Sequence, residues 1–459
     1  MNARLLSRPE KPIFSTHALL VLLGPLLVEQ ALAITVGMAD TMMVSRAGEA
    51  AISGVSLGDM INNLIINIFA ALATGGAVVV SQFLGARDTR GASRSAGQLV
   101  LLSALLGVGV GALCLATAKP VIHLVYGSID ADVFAASVEY LCITALSYPF
   151  LALYNAGAAL FRSMGNSRIS MRVSILMNLL NIVGNAIGVF GLHLGVAGVA
   201  WPSVISRAVA AVLILYAASS AKNEVRLSAA VLRHIDTALD RRILHIGIPS
   251  AFENSLFQAG RILVVSMIAG FGTVQISANA VANNLDGMAI IPGQAVGLAM
   301  ITVVGQCIGA QDHRQAVYYT RRMLLWSYLA MWFSGGLILL CLQPLLGLYA
   351  LSGATATLSA LLVHIHIFSG FVLWPAAFVL PNALRAANDV RYTMLVSILS
   401  MAIWRLGFSY VLGVQYGMGA VGVWIAMVID WACRTICFIT RFAGGKWKTK
   451  YRAAPENEL

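Results

Sequence analysis

The sequence predicts an all-α polytopic membrane protein, with twelve transmembrane helices in two six-helix bundles related by a pseudo-twofold axis. Three observations carry that prediction: the composition, a series of apolar runs of spanning length, and an internal repeat. Of 459 residues, 59% are hydrophobic and 11% charged, against about 45–50% apolar and about 25% charged in soluble domains. Mean hydropathy is +0.82. There is too little polar surface to coat a water-facing exterior, which excludes a soluble globule.

Spanning runs fall, in order, at 14–44, 51–80, 96–118, 135–160, 170–191, 197–219, 244–270, 277–306, 321–347, 358–384, 394–413 and 420–440. Each is broken from the next by Gly, charge or turn-forming residues. The runs are continuously apolar; barrel strands would alternate over about 10 residues. The first run continues past its first 25 residues without a small-residue cleavage site, so it reads as a span and not a removable leader. Basic residues set the orientation. Arg4, Arg8 and Lys11 precede the first run; Arg87, Arg90 and Arg94 follow the second; Arg162, Arg168 and Arg172 follow the fourth; Lys222, Arg226, Arg233, Arg241 and Arg242 follow the sixth. The alternation continues through Arg314, Arg321 and Arg322, then Arg385 and Arg391, to Arg441, Lys446, Lys448, Lys450 and Arg452, while the opposite side carries only Arg46 and Lys119. The positive-inside rule therefore places both termini in the cytoplasm. The net charge of +11 is topological and implies no nucleic acid. The six cysteines lie scattered in apolar runs without a CxxC and read as packing thiols.

The two halves repeat. Pro25 and Glu29 correspond to Pro249 and Glu253, 224 positions on, and at the same offset SQFLGARDTR from Ser81 meets GQCIGAQDHR from Gly305. With one residue of slippage LFRSMGNSR meets ALRAANDVR, and the original offset returns where Gly195 and Gly198 meet Gly419 and Gly422. This colinearity divides the chain into a short N-terminal tail (1–13), an N-lobe (14–219), a basic linker (220–243), a C-lobe (244–440) and a C-terminal tail (441–459). Because six is even, both lobes run in the same sense through the membrane. That is the parallel-repeat plan of secondary transporters, which expose a central cleft to alternate sides.

The pattern from Gly37 to Val44, the LFRSMGNSR and ALRAANDVR loops, Gln82 to Ala86 and the paired Gly-x-x-Gly motifs together resemble the MATE (multidrug and toxic compound extrusion) family, including its NorM-type and DinF-type members. The resemblance covers about residues 14–440. It implies a twelve-helix exporter of organic, often cationic compounds, driven by inward proton or sodium flow and needing no cofactor. Carried over residue by residue, the family's first-helix aspartate is Asp40, its fifth-helix pair is Asn181 and Asn185, and its sixth-helix hydroxyl is Ser203. The seventh-helix glutamate is Glu253. The tenth-helix aspartate is absent, Ala377 standing two residues after Pro375, which puts a C-lobe cation site in question.

Acids inside a membrane cost about 2.5–3.5 kcal/mol each at a helix centre, so each is a functional candidate. They are Glu29, Asp40, Asp59, Glu253, Asp286 and Asp430. Glu29 and Asp40 share one helical face roughly 16 Å apart along the axis. Against functional roles stand structural ones: a snorkelling acid at Asp40, and hydrogen bonds from Glu29 and Glu253 to backbone freed at Pro25 and Pro249. Asn181, Asn185 and Ser203 add neutral oxygens beside Asp40, and together these four form the expected cation-coupling set. Taking a lone carboxyl out of water favours its protonated form, so proton coupling at Asp40 is expected over sodium. Glu29, Glu253 and Asp286, with Met43, Tyr154, Phe252, Phe257, Met288 and Trp374, are the expected substrate or cation cleft. Arg207, Arg261, Arg405 and Arg434 are expected to neutralise acids or to snorkel.

Enzymatic readings fail. Gly54 to Gly58 satisfies GxSxG without a preceding strand, and the glycines of Gly107–Gly111 lack a βαβ setting. No Walker A motif is present, and His364 and His366 lie on different faces of a helix. A lipid-linked glycan flippase of the same wider superfamily is the alternative within transport, and it calls for a more basic cleft. A receptor or intramembrane enzyme would need an extramembrane domain or a catalytic pair. The expected partners are membrane lipid and small organic substrates, with the chain acting as a monomer in a bacterial plasma membrane.

Overall fold

The computed structural model describes residues 9, 11–44, 48–127, 129–233, 235–349 and 351–451, with the side chains at 38–42, 49, 229 and 233 outside that description. The described elements are helices. In chain order they are α1 (Thr16–Val44), α2 (Glu49–Gly85), α3 (Thr89–Tyr126), α4 (Ala131–Ala145), α5 (Tyr148–Ser163), α6 (Ser167–Ala186), α7 (Ala197–Ala218), α8 (Ala229–Arg233) and α9 (Thr237–Ala269). The second half comprises α10 (Thr273–Ala289), α11 (Ile291–Gly309), α12 (His313–Leu340), α13 (Leu342–Gly347), α14 (Gly353–Trp374), α15 (Leu380–Ala386), α16 (Val390–Ser400) and α17 (Gly419–Ala443). Wide π-helical turns cover Ile187–Gly191, Pro375–Val379, Met401–Gly407 and Tyr410–Gln415.

Among the described residues ten helices are long and apolar enough to cross a membrane, and α4 with α5, bent by 49°, makes an eleventh span. The twelfth is α9, whose apolar stretch is interrupted by Glu253 and Arg261. Three of the continuous sequence runs are broken, 321–347 at Cys341 between α12 and α13 and two more at a proline. The run 135–160 bends ahead of Pro149, and 277–306 divides at Ile290 ahead of Pro292. In each case the proline occupies the first turn of the following helix, where its missing N–H costs nothing.

The chain forms two compact units: His17–Ala251, called unit N here, and Met1–Thr16 with Phe252–Leu459, called unit C. In unit C the residues before α1 are tied to the start of α12. Ile13 N donates to Gln315 Oε1 at 2.9 Å, Gln315 Nε2 donates to Lys11 O at 3.0 Å, and the Tyr319 hydroxyl donates to Phe14 O at 2.7 Å. In unit N the basic linker is packed down: Val225 and Leu227 are buried, Arg226 N donates to Ser93 Oγ, and Val231 sits where a Cβ on Gly97 would be.

The repeat extends to backbone detail. Asp88 accepts from Gly91 N at 2.8 Å and caps α3; Asp312 accepts from Gln315 N at 2.9 Å and caps α12. The residue before each cap has positive φ, 61° at Arg87 and 57° at Gln311. Gly165 (φ 73°) corresponds to Asn388 (φ 65°), 223 positions on, and asparagine is among the few residues that tolerate this region. By Gly195 and Gly419, both at φ 58°, the offset is again 224. The extra residue is taken up in the wide turn Met401–Gly407, which has no counterpart among the described residues of unit N. Beyond it, tight glycine packing is kept in both units: a Cβ on Gly198 would lie 2.8 Å from Gly188 C, and one on Gly422 2.7 Å from Leu412 C.

Candidate functional site

Unit N builds a polar cavity from α1, α2, α4, α6 and α7. A cavity of about 30 Å³ is lined by Val44, Ser56, Asp59, Tyr140, Asn185 and Ser203, among others. The i, i+4 spacing of Asn181 and Asn185 puts both on one face of α6, where Asn185 Nδ2 donates to Asn181 Oδ1 at 3.4 Å and Asn181 Nδ2 donates to Ser203 Oγ at 3.0 Å. Asp59 enters from α2. Its Oδ1 accepts from the Tyr140 hydroxyl at 2.7 Å and from Asn62 Nδ2 at 3.4 Å. Asn62 in turn accepts from Tyr148 at 2.5 Å and Thr144 at 3.3 Å, so residues spaced by four on α4 and α5 hold the α2 polar pair. Arg207 donates to Ser147 Oγ at 2.7 Å, and its positive charge acts on Asp59.

Asp40 lies on α1, but its side chain is outside the described residues. The other three residues of the expected coupling set are joined by hydrogen bonds, and Asp59 is the carboxylate the structure places beside them. Tyr140 and Ser56 line the same cavity and were not singled out from sequence. Nothing in a single chain pairs Tyr140 with Asp59, 81 positions away, whereas Asp59 itself stood out as an intramembrane acid. Met43 is half-buried next to the lining residue Val44.

Among the described residues the two repeat glutamates bond to side chains and not to proline-freed backbone. Glu29 Oε1 lies 3.4 Å from Arg162 Nη1, and Oε2 accepts from Ser170 at 3.2 Å. Glu253 Oε1 accepts from Arg385 Nη2 and from Ser397 Oγ, both at 2.6 Å, and its buried Oε2 has no hydrogen-bond partner among the described residues. Each half thus joins the acid of its first helix to the arginine of the Leu-Phe-Arg or Ala-Leu-Arg motif. Tyr154 is buried near Glu29, within reach of Ser174.

In unit C the candidates Asp286, Phe257 and Trp374 are linked through His366, Trp431 and Phe378. Asp286 Oδ2 lies 2.8 Å from His366 Nδ1, at ion-pair distance but outside hydrogen-bond geometry, with His366 edge-on to Trp424 and Trp431. Asp430 pairs with Arg434 at 2.9 Å and accepts from Ser400 Oγ. Arg434 also lies over the rings of Phe257 and Phe378. Trp374 is buried against Phe378 and Gly293, whereas Phe252 and Met288 are exposed. Among the described residues no three His, Cys, Asp or Glu side chains converge as a metal cage.

Comparison with known proteins places this geometry in a context. A family model described as MatE matches residues 25–187 and 249–411, two stretches of equal length set 224 residues apart. Over 450 residues the chain is 28% identical to the uncharacterized transporter YisQ of Bacillus subtilis, covering 96% of this chain and 97% of that one. It is 24% identical to the probable multidrug resistance protein NorM of Thermotoga maritima, covering 93% and 92%. Two solved structures share the fold at TM-score 0.85. One is a MOP superfamily transporter from Pyrococcus furiosus, 20% identical with 94% and 96% covered; the other is an outward-facing multidrug resistance MATE family transporter, 21% identical with 96% of each covered.

Proposed function

The chain belongs to the MatE family, and on that premise we propose that it is a secondary multidrug exporter of organic, often cationic compounds, working by antiport with protons. The observation that carries the reading is the unit N cavity, where one carboxylate, Asp59, meets the amide and hydroxyl oxygens of Asn185 and Ser203 inside a membrane-spanning bundle. A buried sodium ion asks for several oxygen ligands with carboxylate charge. A proton asks for a single carboxyl that can exchange its hydrogen-bond partners. The Tyr140 hydroxyl donates to the charged form of Asp59 and can turn to accept from the protonated form. We therefore assign proton loading to Asp40 and Asp59, with Asn181, Asn185 and Ser203 as the polar frame.

In this reading the lobes are 14–219 and 244–440, joined by the linker 220–243, and they rock to expose a substrate cleft to alternate sides. Both termini lie in the cytoplasm of a bacterium, and the exporter works as a monomer in the plasma membrane without a cofactor. Protonation from outside neutralises the N-lobe acid, α1 repacks, and substrate is released; deprotonation on the inside resets the cycle. Glu29 and Glu253, held by their arginines, stand on the substrate pathway, and exposed Phe252 and Met288 offer adaptable apolar contact.

The test is efflux of a fluorescent cationic dye from proteoliposomes. A pH gradient is expected to drive it, and Asp40→Asn is expected to abolish it while leaving the protein monodisperse. Efflux driven by a sodium gradient at equal pH, with no response to a proton gradient, overturns the ion assignment; full activity in Asp40→Asn overturns the site.

A further inference from the structure

Unit C contains its own copy of the unit N cavity, with the charge inverted. A cavity of about 20 Å³ there is lined by Arg261, Asn279, Asn283, Arg405, Trp424 and Met427, among others. Four lining positions are repeat partners of unit N lining positions at the offset of 224: Asn279 of Val55, Asn283 of Asp59, Val423 of Val199 and Met427 of Ser203. Two further lining residues, Arg261 and Arg405, stand at the repeat positions of Gly37 and Asn181, and Val264 stands at that of Asp40. Every acid of the unit N site is neutral here, and two guanidinium groups have been added.

Neither of those two cations is held in a direct ion pair, and Arg405 feels Asp430 and Asp286 only from beyond ion-pair distance. The interior acids of unit C are each engaged elsewhere: Glu253 by Arg385, Asp286 by His366, Asp430 by Arg434 and Asp389 by Arg441. Among the described residues neither Arg261 nor Arg405 has a carboxylate within ion-pair distance, and Arg405 Nε is buried with no hydrogen-bond partner. Two like charges facing one small cavity repel, and desolvating the Arg405 guanidinium is costly unless an anion joins it. The wide turn Met401–Gly407 that carries Arg405 is of the rare helix type that recurs at functional sites. Asn279 Oδ1 accepts from Trp424 Nε1 at 3.0 Å, which fixes an indole on the cavity wall.

We propose that this cavity is an anion site that takes the carboxylate of an organic compound between Arg261 and Arg405. The forked, planar guanidinium matches a planar carboxylate in bidentate fashion, and the asparagine amides supply neutral donors. The cavity is large enough for the charged group alone. Trp424, Val264 and Met427 offer the apolar wall for the adjoining part of the molecule, and Arg261, which is exposed, marks the open side.

The experiment is equilibrium binding of radiolabelled benzoate to the full-length protein in neutral detergent at constant ionic strength. Benzamide, of the same shape without charge, is the control. One saturable site is expected for benzoate and none for benzamide. Arg405→Gln and Arg261→Gln are each expected to weaken benzoate binding tenfold or more; Arg261 is exposed, so its variant keeps the test valid should Arg405→Gln fail to fold. Lys119→Gln, which removes an exposed cation of the other unit, is expected to bind benzoate as the unmodified protein does. Equal binding of benzamide, unchanged affinity in Arg261→Gln, loss of binding in Lys119→Gln, or displacement by chloride at concentrations matching benzoate would each overturn the assignment. The measurement uses no ion gradient, so failure of proton-driven efflux refutes the exporter reading and leaves this result standing.

Discussion

The repeat glutamates offer a direct comparison of two ion pairs that share sequence logic but differ in geometry. In unit C, Glu253 receives two bonds of 2.6 Å, from Arg385 and Ser397, with side-chain exposures of 15% for Arg385 and 8% for Glu253. In unit N the Glu29 and Arg162 side chains are about as buried, at 12% and 15%, but they stand 3.4 Å apart. Removing one partner of a buried pair leaves an uncompensated charge and costs about 3–5 kcal/mol. For Arg385→Gln the lower end, about 3 kcal/mol, applies because Ser397 remains. With 1 kcal/mol moving the midpoint by about 2–4 °C in units of this size, thermal unfolding in detergent should shift down by about 6–12 °C. The longer Glu29 pair predicts about 1 kcal/mol for Arg162→Gln, a shift of about 2–4 °C. Adding Glu253→Gln to Arg385→Gln should recover most of the loss, since it removes the stranded charge. Equal shifts in the two arginine variants, or no recovery in the double variant, would show that pair geometry and the stranded charge do not set the cost.

Asp59→Asn is expected to lower pH-driven dye efflux at least tenfold while leaving the circular dichroism spectrum unchanged; undiminished efflux would take Asp59 out of the coupling site. Gly198→Ala places a Cβ 2.8 Å from the backbone of Gly188, and overpacking of this kind costs about 1–3 kcal/mol, to be read as a lowered unfolding midpoint that Gly191→Ala, where the nearest atom is 4.0 Å away, does not produce. Asp88→Ala and Asp312→Ala each remove a helix cap worth about 1 kcal/mol; similar destabilisation of both by thermal shift is expected, and a loss at one alone would contradict equivalent capping.

The sequence made the spans legible because a membrane requires long apolar runs, and the repeat legible because caps and positive-φ turns constrain residue type, as at Asp88, Asp312 and Asn388. It hid the bends at Pro149 and Pro292, since hydropathy continues unbroken across a proline that merely restarts a helix. At the site, Asn181, Asn185 and Ser203 were visible through the family pattern. The Tyr140 hydroxyl on Asp59 was not, because that contact joins helices whose mutual rotation no local pattern records. Sequence reasoning expected the spanning arginines to neutralise acids or to snorkel. Arg434 pairs with Asp430 in that way, whereas among the described residues Arg261 and Arg405 form no ion pair.

One added residue in an α-helix turns everything beyond it by roughly 100°. Had the extra residue of the Met401–Gly407 stretch entered a regular helix, Gly413 would have swung away from α17, and the contact between Leu412 and Gly422 could not have formed. Housing the insertion in a widened turn confines its effect to a single winding. A duplicated half can then gain a residue facing its interior without a compensating deletion. The two copies are in this way free to diverge in what their interiors hold while the glycine seams that pack them stay under common constraint. Transplanting the seven residues Met401–Gly407 into the corresponding stretch of α6 should accordingly be tolerated as an insertion, where the same lengthening made with alanine inside α7 should not.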